Sequence, residues 1–408
     1  MTSSIYIAKS VYGGDGIGRL GDGRVVFVPG AFAGEQVKAE IVEEKKNFVR
    51  ARLVEIEDAN PERTGAGAPP IPGMVYANIS PKGECAAKAA QLAEFFDRAR
   101  IPLGESGVPE QPVAGGSLAE SLNYRNKVVY HFARSGGGWA LGYRTEPEHE
   151  IVDVENDPLA APEINAKLAE VRRNTFALLT QGADAVRRAV ERKSNVTIRW
   201  TRRSGVVWWL GDAQPGVVLK ESACGRAFEV PSDGFWQVNP AVGDALVKSV
   251  AETYAQSPTG AILDLYCGVG VLGLSCAAAD GGQTPRLTGI ESGRQAVEFA
   301  RRNAALLGVE SRFFVEQVGR SLNRIRIDDK TTVIVDPPRG GMEPNVPRWL
   351  AASRAPRVLY ASCDPATLMR DLRTLSRAYD VESVRWFNMF PRTARFETLV
   401  ALKRKRQG

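Results

Sequence analysis

This 408-residue sequence has few cysteines, no long apolar run and a first segment unlike a signal peptide. Its five cysteines are scattered with no C-x-x-C spacing, so neither a disulfide framework nor a zinc site is indicated. No stretch reaches the ~20 consecutive apolar residues that cross a membrane. The first ten residues, MTSSIYIAKS, have no apolar core like that of a signal peptide, and we therefore expect a cytoplasmic protein.

The composition is that of a soluble globular protein with a surplus of basic residues. Hydrophobic residues make up 44% of the chain and charged residues 25%. A chain of this length exceeds one ordinary core, so two or three domains are expected. The formal net charge of +6 favours a polyanionic partner. Many basic proteins never bind nucleic acid, so this charge does not decide the function.

Residues 1–58 alternate short β-type runs with glycine. The runs that read as strands are Val25–Val28, Gln36–Val42 and Val49–Ile56. Several short strands in so few residues predict a small closed barrel. Basic residues lie near Phe48 on one predicted hairpin: Lys45, Lys46, Arg50 and Arg52. They suit an RNA backbone with a base stacked on the ring, or a plain solvated face. The stretch GGDGIGRLGDGRVVFVPGAFAGEQVKAEI resembles the TRAM domain, which implies an RNA-binding barrel.

Residues 59–233 are interpreted as a proline-rich linker followed by a separate α+β domain. Apolar spacing predicts a helix at Ala86–Arg100, a candidate to pack on the C-terminal domain, and a long helical pattern at Ala161–Gln181. Predicted strands are Val128–Phe132, Val196–Trp200 and Val206–Leu210. The alternating β–α order of a doubly wound sheet is missing there. Many arginines and lysines, Arg125 and Lys127 among them, and several tryptophans suit either an RNA-binding surface or solvated helices around a core.

Residues 234–408 alternate strands with helices, which predicts an α/β, Rossmann-like domain with a parallel sheet covered on both faces. The predicted strands are Ile262–Leu265, Leu287–Ile290, Phe313–Val315, Val333–Val335 and Val358–Ala361. A helix with an apolar stripe is predicted at Arg294–Leu307. Ligands of such sheets bind beyond the carboxyl ends of the strands. The residues that follow each strand are therefore the candidates for function.

The first predicted strand leads into a glycine-rich turn with Gly268, Gly270 and Gly273, followed by a helix start. This spacing fits a cofactor loop, although a plain strand–helix turn fits it too. Glu291 ends the second strand, where an acidic side chain accepts hydrogen bonds from ribose hydroxyls. A ribose-bearing cofactor is indicated. NAD and S-adenosylmethionine both qualify.

Three other strand ends carry reactive side chains. Asp336 and Arg339 belong to a rigid loop with two prolines. Cys363 follows the fifth strand in a short loop, well placed as a nucleophile if a positive neighbour lowers its pKa. Glu397 precedes the strand-like run Thr398–Leu402 and is a candidate general base, although a surface glutamate is the commoner reading.

Together these stretches resemble the RNA 5-methyluridine methyltransferase family. The matching motifs are FWQVNP, DLYCGVG, GIES, VDPPRGG, SCDPATL and FPRTARFE. The resemblance implies S-adenosylmethionine as cofactor and a uracil in RNA as substrate. It implies that Cys363 adds to carbon 6 and that Glu397 removes the proton from carbon 5. It also implies a cofactor and base pocket formed by Gln237, Tyr266, Gly268, Gly270, Glu291, Gln317 and Asp336. From their charge and position, we assign Arg339, Arg125 and Lys127 to the substrate.

The sequence departs from this family's pattern in several places. Many relatives hold an iron–sulfur cluster on four cysteines, of which only Cys85 is matched here, while Asp157 stands in the place of another. We therefore expect neither a cluster nor another metal. Asp364 replaces the commoner asparagine after the nucleophile, and Arg395 replaces the usual histidine before the base. Val271 stands where asparagine is usual.

The leading hypothesis is a monomeric RNA (uracil-5-)methyltransferase. The TRAM-like barrel favours ribosomal over transfer RNA, because the simplest transfer-RNA members of the family lack it. Alternatives are methylation of uridine in transfer RNA, methylation of cytosine at carbon 5, and a non-catalytic RNA-binding relative. A nicotinamide dehydrogenase rests on the glycine spacing alone and gives Cys363 no role.

Overall fold

The N-terminal strands close into a five-stranded barrel. The computed structural model describes residues 2–65, 70–104, 107–135, 138–145, 149–212, 216–278 and 285–406. The barrel strands are β1 (Thr2–Ser10), β2 (Gly16–Arg19), β3 (Val25–Val28), β4 (Gln36–Glu44) and β5 (Phe48–Asp58). Their order is β1-β2-β3-β5-β4. Alternate residues such as Ile5, Ile7, Val37 and Ala39 fill the interior. The predicted barrel is confirmed.

Helix α1 (Pro81–Ala99) follows the linker and is built into the C-terminal core. Ser80 caps it by accepting a hydrogen bond from the Gly83 N–H at 3.1 Å. Cys85, Leu92 and Phe96 on its inner face share one hydrophobic cluster with the C-terminal sheet. The helix therefore belongs structurally to the C-terminal part of the chain, although it precedes the central sheet in sequence.

The central region is a five-stranded antiparallel sheet with two helices. Its elements are β6 (Lys127–Ser135), β7 (Gly138–Arg144), β8 (Ile151–Asp153), α2 (Pro162–Thr180), α3 (Asp184–Lys193), β9 (Asn195–Thr201) and β10 (Gly205–Leu210). The strand order is β10-β9-β6-β7-β8. The long helical pattern is thus confirmed as α2, with α3 as a second helix. A hairpin of β11 (Val218–Ala223) and β12 (Arg226–Pro231) follows and packs on the C-terminal helices.

The C-terminal region contains a seven-stranded sheet of order β15-β14-β13-β16-β17-β19-β18. Its strands are β13 (Ala261–Leu265), β14 (Arg286–Glu291), β15 (Ser311–Val315), β16 (Thr331–Val335), β17 (Arg357–Ser362), β18 (Tyr379–Phe387) and β19 (Glu397–Arg404). Its helices are α4 (Pro240–Ala255), α5 (Val271–Ala277), α6 (Arg294–Leu307), α7 (Val318–Ser321), α8 (Asn345–Ala352) and α9 (Pro365–Leu375), with a 3₁₀ turn at Leu322–Arg324. The five strands β13–β17 pair in parallel, so the predicted Rossmann-like sheet is confirmed.

Strand β19 runs against the others and brings its first residue to their carboxyl edge. The register pairs Ser362 of β17 with Thr398 of β19. Cys363 and Glu397 each lie one residue beyond that pair, at the same edge of the sheet. In the described part of the chain, no helix combines the length and the apolarity that a bilayer crossing needs.

Candidate active site

The turn between β13 and α5 is shaped by residues with positive φ. Tyr266, Gly268 and Gly270 have φ values of +62°, +53° and +86°. A Cβ on Gly270 would lie 2.8 Å from a methyl carbon of Leu274, so glycine is needed there. The strained turn carries the backbone over the carboxyl edge of the sheet, where it borders a cavity.

That cavity has a volume of about 280 Å³ and is lined by four of the predicted cofactor residues: Gln237, Tyr266, Gly268 and Asp336. Asp264 also lines it, and burial raises the pKa of this carboxyl to about 7. The Asp264 Oδ2 accepts from the Gly273 N–H at 2.9 Å, whereas Oδ1 is buried without a partner among the described residues. A buried acceptor without a donor fits a ligand that carries polar hydrogens.

The two other predicted cofactor residues at strand ends have different surroundings. Glu291 accepts from the Gly268 N–H at 3.3 Å and from the Gly293 N–H at 2.6 Å, so its carboxylate holds the glycine turn in place. Carboxylate oxygens have lone pairs left for further donors. Gln317 precedes α7, is exposed, and does not line the cavity.

Cys363 and Glu397 lie close enough to interact electrostatically, and Asp336 and Arg339 are near both. Burial, then Glu397 and Asp336, raise the pKa of the Cys363 thiol to about 12, while Arg339 acts to lower it. Burial and then Asp336 raise the pKa of Glu397 well above its ordinary value, again against Arg339. In this conformation the Cys363 thiol holds its proton at neutral pH, and the raised pKa of Glu397 favours its protonated form. Arg339 is the cation that favours the charged form of each.

Two residues that depart from the family pattern, Asp364 after Cys363 and Arg395 before Glu397, form an ion pair. Asp364 Oδ2 lies 3.8 Å from Arg395 Nη1. Asp364 also caps α9, because its Oδ1 accepts from the Ala366 and Thr367 N–H groups at 3.0 and 3.1 Å. Tyr12, from the barrel, donates to Asp364 Oδ2 at 3.5 Å and accepts from Arg395 Nη1 at 3.5 Å. No pattern in the sequence indicated that Tyr12 reaches this site.

The three predicted substrate residues line a single cleft. Arg125, Lys127 and Arg339 border it together with Tyr12 and Arg395, and its volume is about 570 Å³. The walls come from the barrel, the linker, the central sheet and the C-terminal region. A basic cleft of this kind, with a tyrosine ring in its wall, has the chemistry that binds a nucleic-acid strand.

The central region is hydrogen-bonded to residues 233–238, several of which line the cavity. Asn126 Nδ2 donates to the Gln237 carbonyl at 3.1 Å, and its backbone N–H donates to the Val238 carbonyl at 2.9 Å. Lys127 Nζ donates to the Asp233 carbonyl at 3.1 Å. The buried Arg199 guanidinium donates to the Gly234 carbonyl at 2.8 Å. Asn126 and Arg199 were missed from the sequence, and Lys127 was predicted for the substrate and not for this contact, because a strand pattern does not show which backbone groups a side chain binds.

The two positions discussed for an iron–sulfur cluster are both buried. Cys85 lies in the core between α1 and the C-terminal sheet. Asp157 accepts hydrogen bonds from the hydroxyls of Tyr130 at 3.1 Å and Tyr143 at 2.6 Å. Within the described ranges, no group of three or more histidine, cysteine or acidic side chains is arranged to hold a metal ion.

Comparison with known proteins finds a matching family model for each end of the chain. Residues 224–405 match the family model described as tRNA (Uracil-5-)-methyltransferase, and residues 7–54 match the TRAM domain. An uncharacterized RNA methyltransferase of Streptomyces coelicolor is 32% identical, and the alignment covers 99% of this chain and 93% of that protein. Another, from Streptomyces avermitilis, is 31% identical, with 99% and 98% covered.

The fold is also found in a solved structure. A tRNA (uracil-54, C5)-methyltransferase of Pyrococcus abyssi, in complex with S-adenosyl-L-homocysteine, superposes with a TM-score of 0.70 at 20% identity, covering 98% of this chain and 100% of that one. At this identity the likeness establishes the fold. The Streptomyces relatives establish the family, since identity exceeds 30% over nearly the whole length of both chains. The chain therefore belongs to the RNA methyltransferases that join a TRAM domain to a catalytic domain of the tRNA (Uracil-5-)-methyltransferase family.

Proposed function

We propose that this protein methylates carbon 5 of a uridine in ribosomal RNA, with S-adenosylmethionine as the methyl donor. The observation that carries the proposal is the meeting of Cys363 and Glu397 at one sheet edge. Asp336, which influences the pKa of both groups, lines the neighbouring cavity, and Arg339 lines the cleft. A nucleophile, a base, a cofactor-sized cavity and a basic cleft are the parts that this reaction requires.

Carbon 5 of uracil is a weak nucleophile, and Cys363 changes that. The thiol first loses its proton to solvent, and the thiolate adds to carbon 6, which leaves an enolate with electron density at carbon 5. S-adenosylmethionine, when bound, supplies an electrophilic methyl group to that carbon. Glu397 then takes the proton from carbon 5, the double bond re-forms, and the bond between Cys363 and carbon 6 breaks. Since the pKa of Glu397 is raised, its carboxylate is a strong proton acceptor once ionised.

Arg339 has a defined part in both steps. It lies close enough to Cys363 and Glu397 to lower the pKa of each. A guanidinium keeps its charge at all working pH values, so it stabilises first the thiolate and then the carboxylate. Arg125 and Lys127 line the same cleft and are assigned to the RNA backbone.

The residues around the cavity fit the proposed cofactor. Gln237, Tyr266, Asp336 and the glycine turn would hold it, and the unpaired Asp264 Oδ1 is available to a donor on the ligand. Glu291 would accept from ribose hydroxyls while it holds the turn. Further support comes from the Pyrococcus structure, which contains the demethylated product of this cofactor. We assign no direct contact to the exposed Gln317.

The ribosomal target is the finer part of the proposal. It rests on the TRAM domain, which adds RNA-binding surface beyond the catalytic domain. The base must leave any stack to reach Cys363, so an unpaired loop is the expected site. We propose that the enzyme acts as a monomer.

The test uses ribosomal and transfer RNA from cells that lack the gene. Each RNA is incubated with the purified protein and methyl-labelled S-adenosylmethionine and then digested to nucleosides. We expect labelled 5-methyluridine from ribosomal RNA, and none with Cys363→Ala. Label in transfer RNA alone would refute the ribosomal target. Labelled 5-methylcytidine without 5-methyluridine would refute the assignment of uracil, and RNA binding without any labelled product would favour a non-catalytic role.

A further inference from the structure

Helix α1 carries a buried ion pair that has no part in the mechanism described above. Glu84 and Lys88 are one helical turn apart, their side chains are both 0% exposed, and Lys88 Nζ lies 2.8 Å from Glu84 Oε1. Burial lowers the pKa of Lys88, and Glu84 opposes that shift. Neighbouring side chains on the same helix, such as Leu92 and Phe96, are apolar and fill the core.

Both members of the pair bind the loop that ends at Glu397. Lys88 Nζ donates to Asn388 Oδ1 at 2.6 Å. Asn388 Nδ2 in turn donates to Glu84 Oε1 at 2.9 Å, so the three side chains close a ring of hydrogen bonds. The Arg392 N–H donates to both oxygens of Glu84, at 3.0 and 3.1 Å. These contacts join positions about 300 residues apart in the sequence.

The same loop is held from two other sides. The Tyr124 hydroxyl donates to the Pro391 carbonyl at 3.0 Å. The Tyr76 N–H donates to the Arg392 carbonyl at 3.1 Å, and Arg392 Nη1 donates to the Ile79 carbonyl at 2.6 Å. Arg392 has φ of +66°, a conformation that a residue with a side chain keeps only when its surroundings hold it. These contacts hold the loop in its present shape up to the start of β19.

The free-energy cost of burying charges indicates that the ion pair contributes more to the conformation of this loop than to the stability of the fold. Removing a lysine and a glutamate from water carries a large free-energy cost for each ion, and apolar residues of similar size are often at least as stable in such a place. What apolar residues cannot do is bind Asn388 and the Arg392 N–H in one defined geometry. Glu397 is buried and has little freedom of its own once the loop is fixed.

We propose that Glu84 and Lys88 are positioning residues for proton removal by Glu397. They act through Asn388 and Arg392, which set where the loop delivers the carboxylate beside Cys363. The proposal rests on the proposed function, since it assigns these residues to one step of that reaction. Disturbing them slows the loss of the proton from carbon 5 and leaves addition and methyl transfer largely intact.

The experiment measures the covalent RNA–protein adduct formed on ordinary uridine RNA. Lys88→Met removes the ammonium, and Asn388→Ala removes the loop-side partner while it leaves the buried pair intact. Lys82→Met is the matched control, because Lys82 is on the same helix but 81% exposed, paired with Glu62 at 3.0 Å. Glu397→Gln gives the full effect of losing the base. Adduct is quantified on denaturing gels over time, together with single-turnover methyl transfer and the melting temperature.

For Lys88→Met and Asn388→Ala we expect a kcat about 10²-fold lower, the scale of a misplacement of about 1 Å. Methylated adduct should accumulate as it does in Glu397→Gln, with cofactor affinity unchanged and Lys82→Met like the wild type. If Lys88→Met does not fold, Asn388→Ala decides. A folded Asn388→Ala protein with no accumulated adduct overturns the inference while the proposed function stands. A wild type that forms neither 5-methyluridine nor adduct overturns the proposed function and this inference with it.

Discussion

Cys363 should react with iodoacetamide only slowly at neutral pH, and its rate should still be rising at pH 10. The thiolate is the reactive form, and the surroundings raise the pKa of this thiol from 9.0 to about 12. At pH 8 about 0.01% of such a thiol is ionised, against about 9% for a thiol with the ordinary pKa. The surroundings therefore lower the thiolate fraction about 10³-fold.

The perturbation is Asp364→Asn. Asparagine still caps α9, but the negative charge that raises the pKa of Cys363 is removed. The pKa should therefore fall, and alkylation at pH 8 should be faster by about tenfold per unit of pKa. Arg339→Met should act in the opposite direction, since it removes the cation that lowers this pKa.

The assay is mass spectrometry of the peptide that contains Cys363 after timed alkylation between pH 6.5 and 10.5. The readout is the pH range over which the alkylation rate rises, because a change in steric access alters the rate equally at every pH. Cys224 is an internal reference, since it too is half-buried and lies outside the site. A wild-type rate that levels off below pH 9, or slower alkylation in Asp364→Asn, would refute this account of the electrostatics.

Three further predictions concern the base, the cavity and the buried charges. Glu397→Gln should transfer one methyl group and then stall with RNA attached, which a denaturing gel detects; rapid turnover would rule Glu397 out as the base. Asp264→Asn should flatten the pH dependence of stability. The folded pKa of Asp264 is raised from 3.8 to about 7, so its contribution is complete below pH 3.8 and is lost as pH rises towards 7. In urea unfolding of the ligand-free protein, the free energy of unfolding should fall over this pH range by up to about 4 kcal/mol less in the variant than in the wild type. An unchanged pH dependence in the variant would contradict the shift. Arg199→Met leaves Glu221 buried without its partner and should cost about 3–5 kcal/mol of unfolding free energy. Arg199→Met with Glu221→Leu should cost less, and equal losses would show that the pairing is unimportant.

The sequence predicted those parts of the fold that depend on local patterns. The apolar run Ile262–Leu265 and the glycine turn after it lie where β13 and its turn were expected. The apolar stripe of α6 is likewise local, since residues three and four apart share a helix face. Cys363 and Glu397 were selected from their places beside strands and from a family resemblance. Neither of these clues predicts that β19 runs antiparallel to β17, which is what brings the two residues to the same edge of the sheet.

What was missed depends on contacts between distant segments. The bond between Lys88 and Asn388 is created by the packing of α1 on the C-terminal sheet, and no periodicity in either segment marks it. Tyr12 lies in a glycine-rich turn, and nothing in that turn predicted its contacts with Asp364 and Arg395. Strand β18 was not predicted as part of the sheet. Gln317 was assigned through its family position, yet its side chain is exposed and outside the cavity lining.

The reach of Tyr12 changes what it would mean to remove the first domain. Its ring packs edge-on against Phe95 and Phe396, with centroids 5.6 and 5.9 Å apart, and Phe396 is the residue immediately before Glu397. A shortened protein without the barrel would therefore lose a wall of its reaction chamber as well as a grip on RNA. Tyr12 belongs to the barrel and packs against the C-terminal region, so loss of turnover after such a truncation would not measure RNA affinity alone.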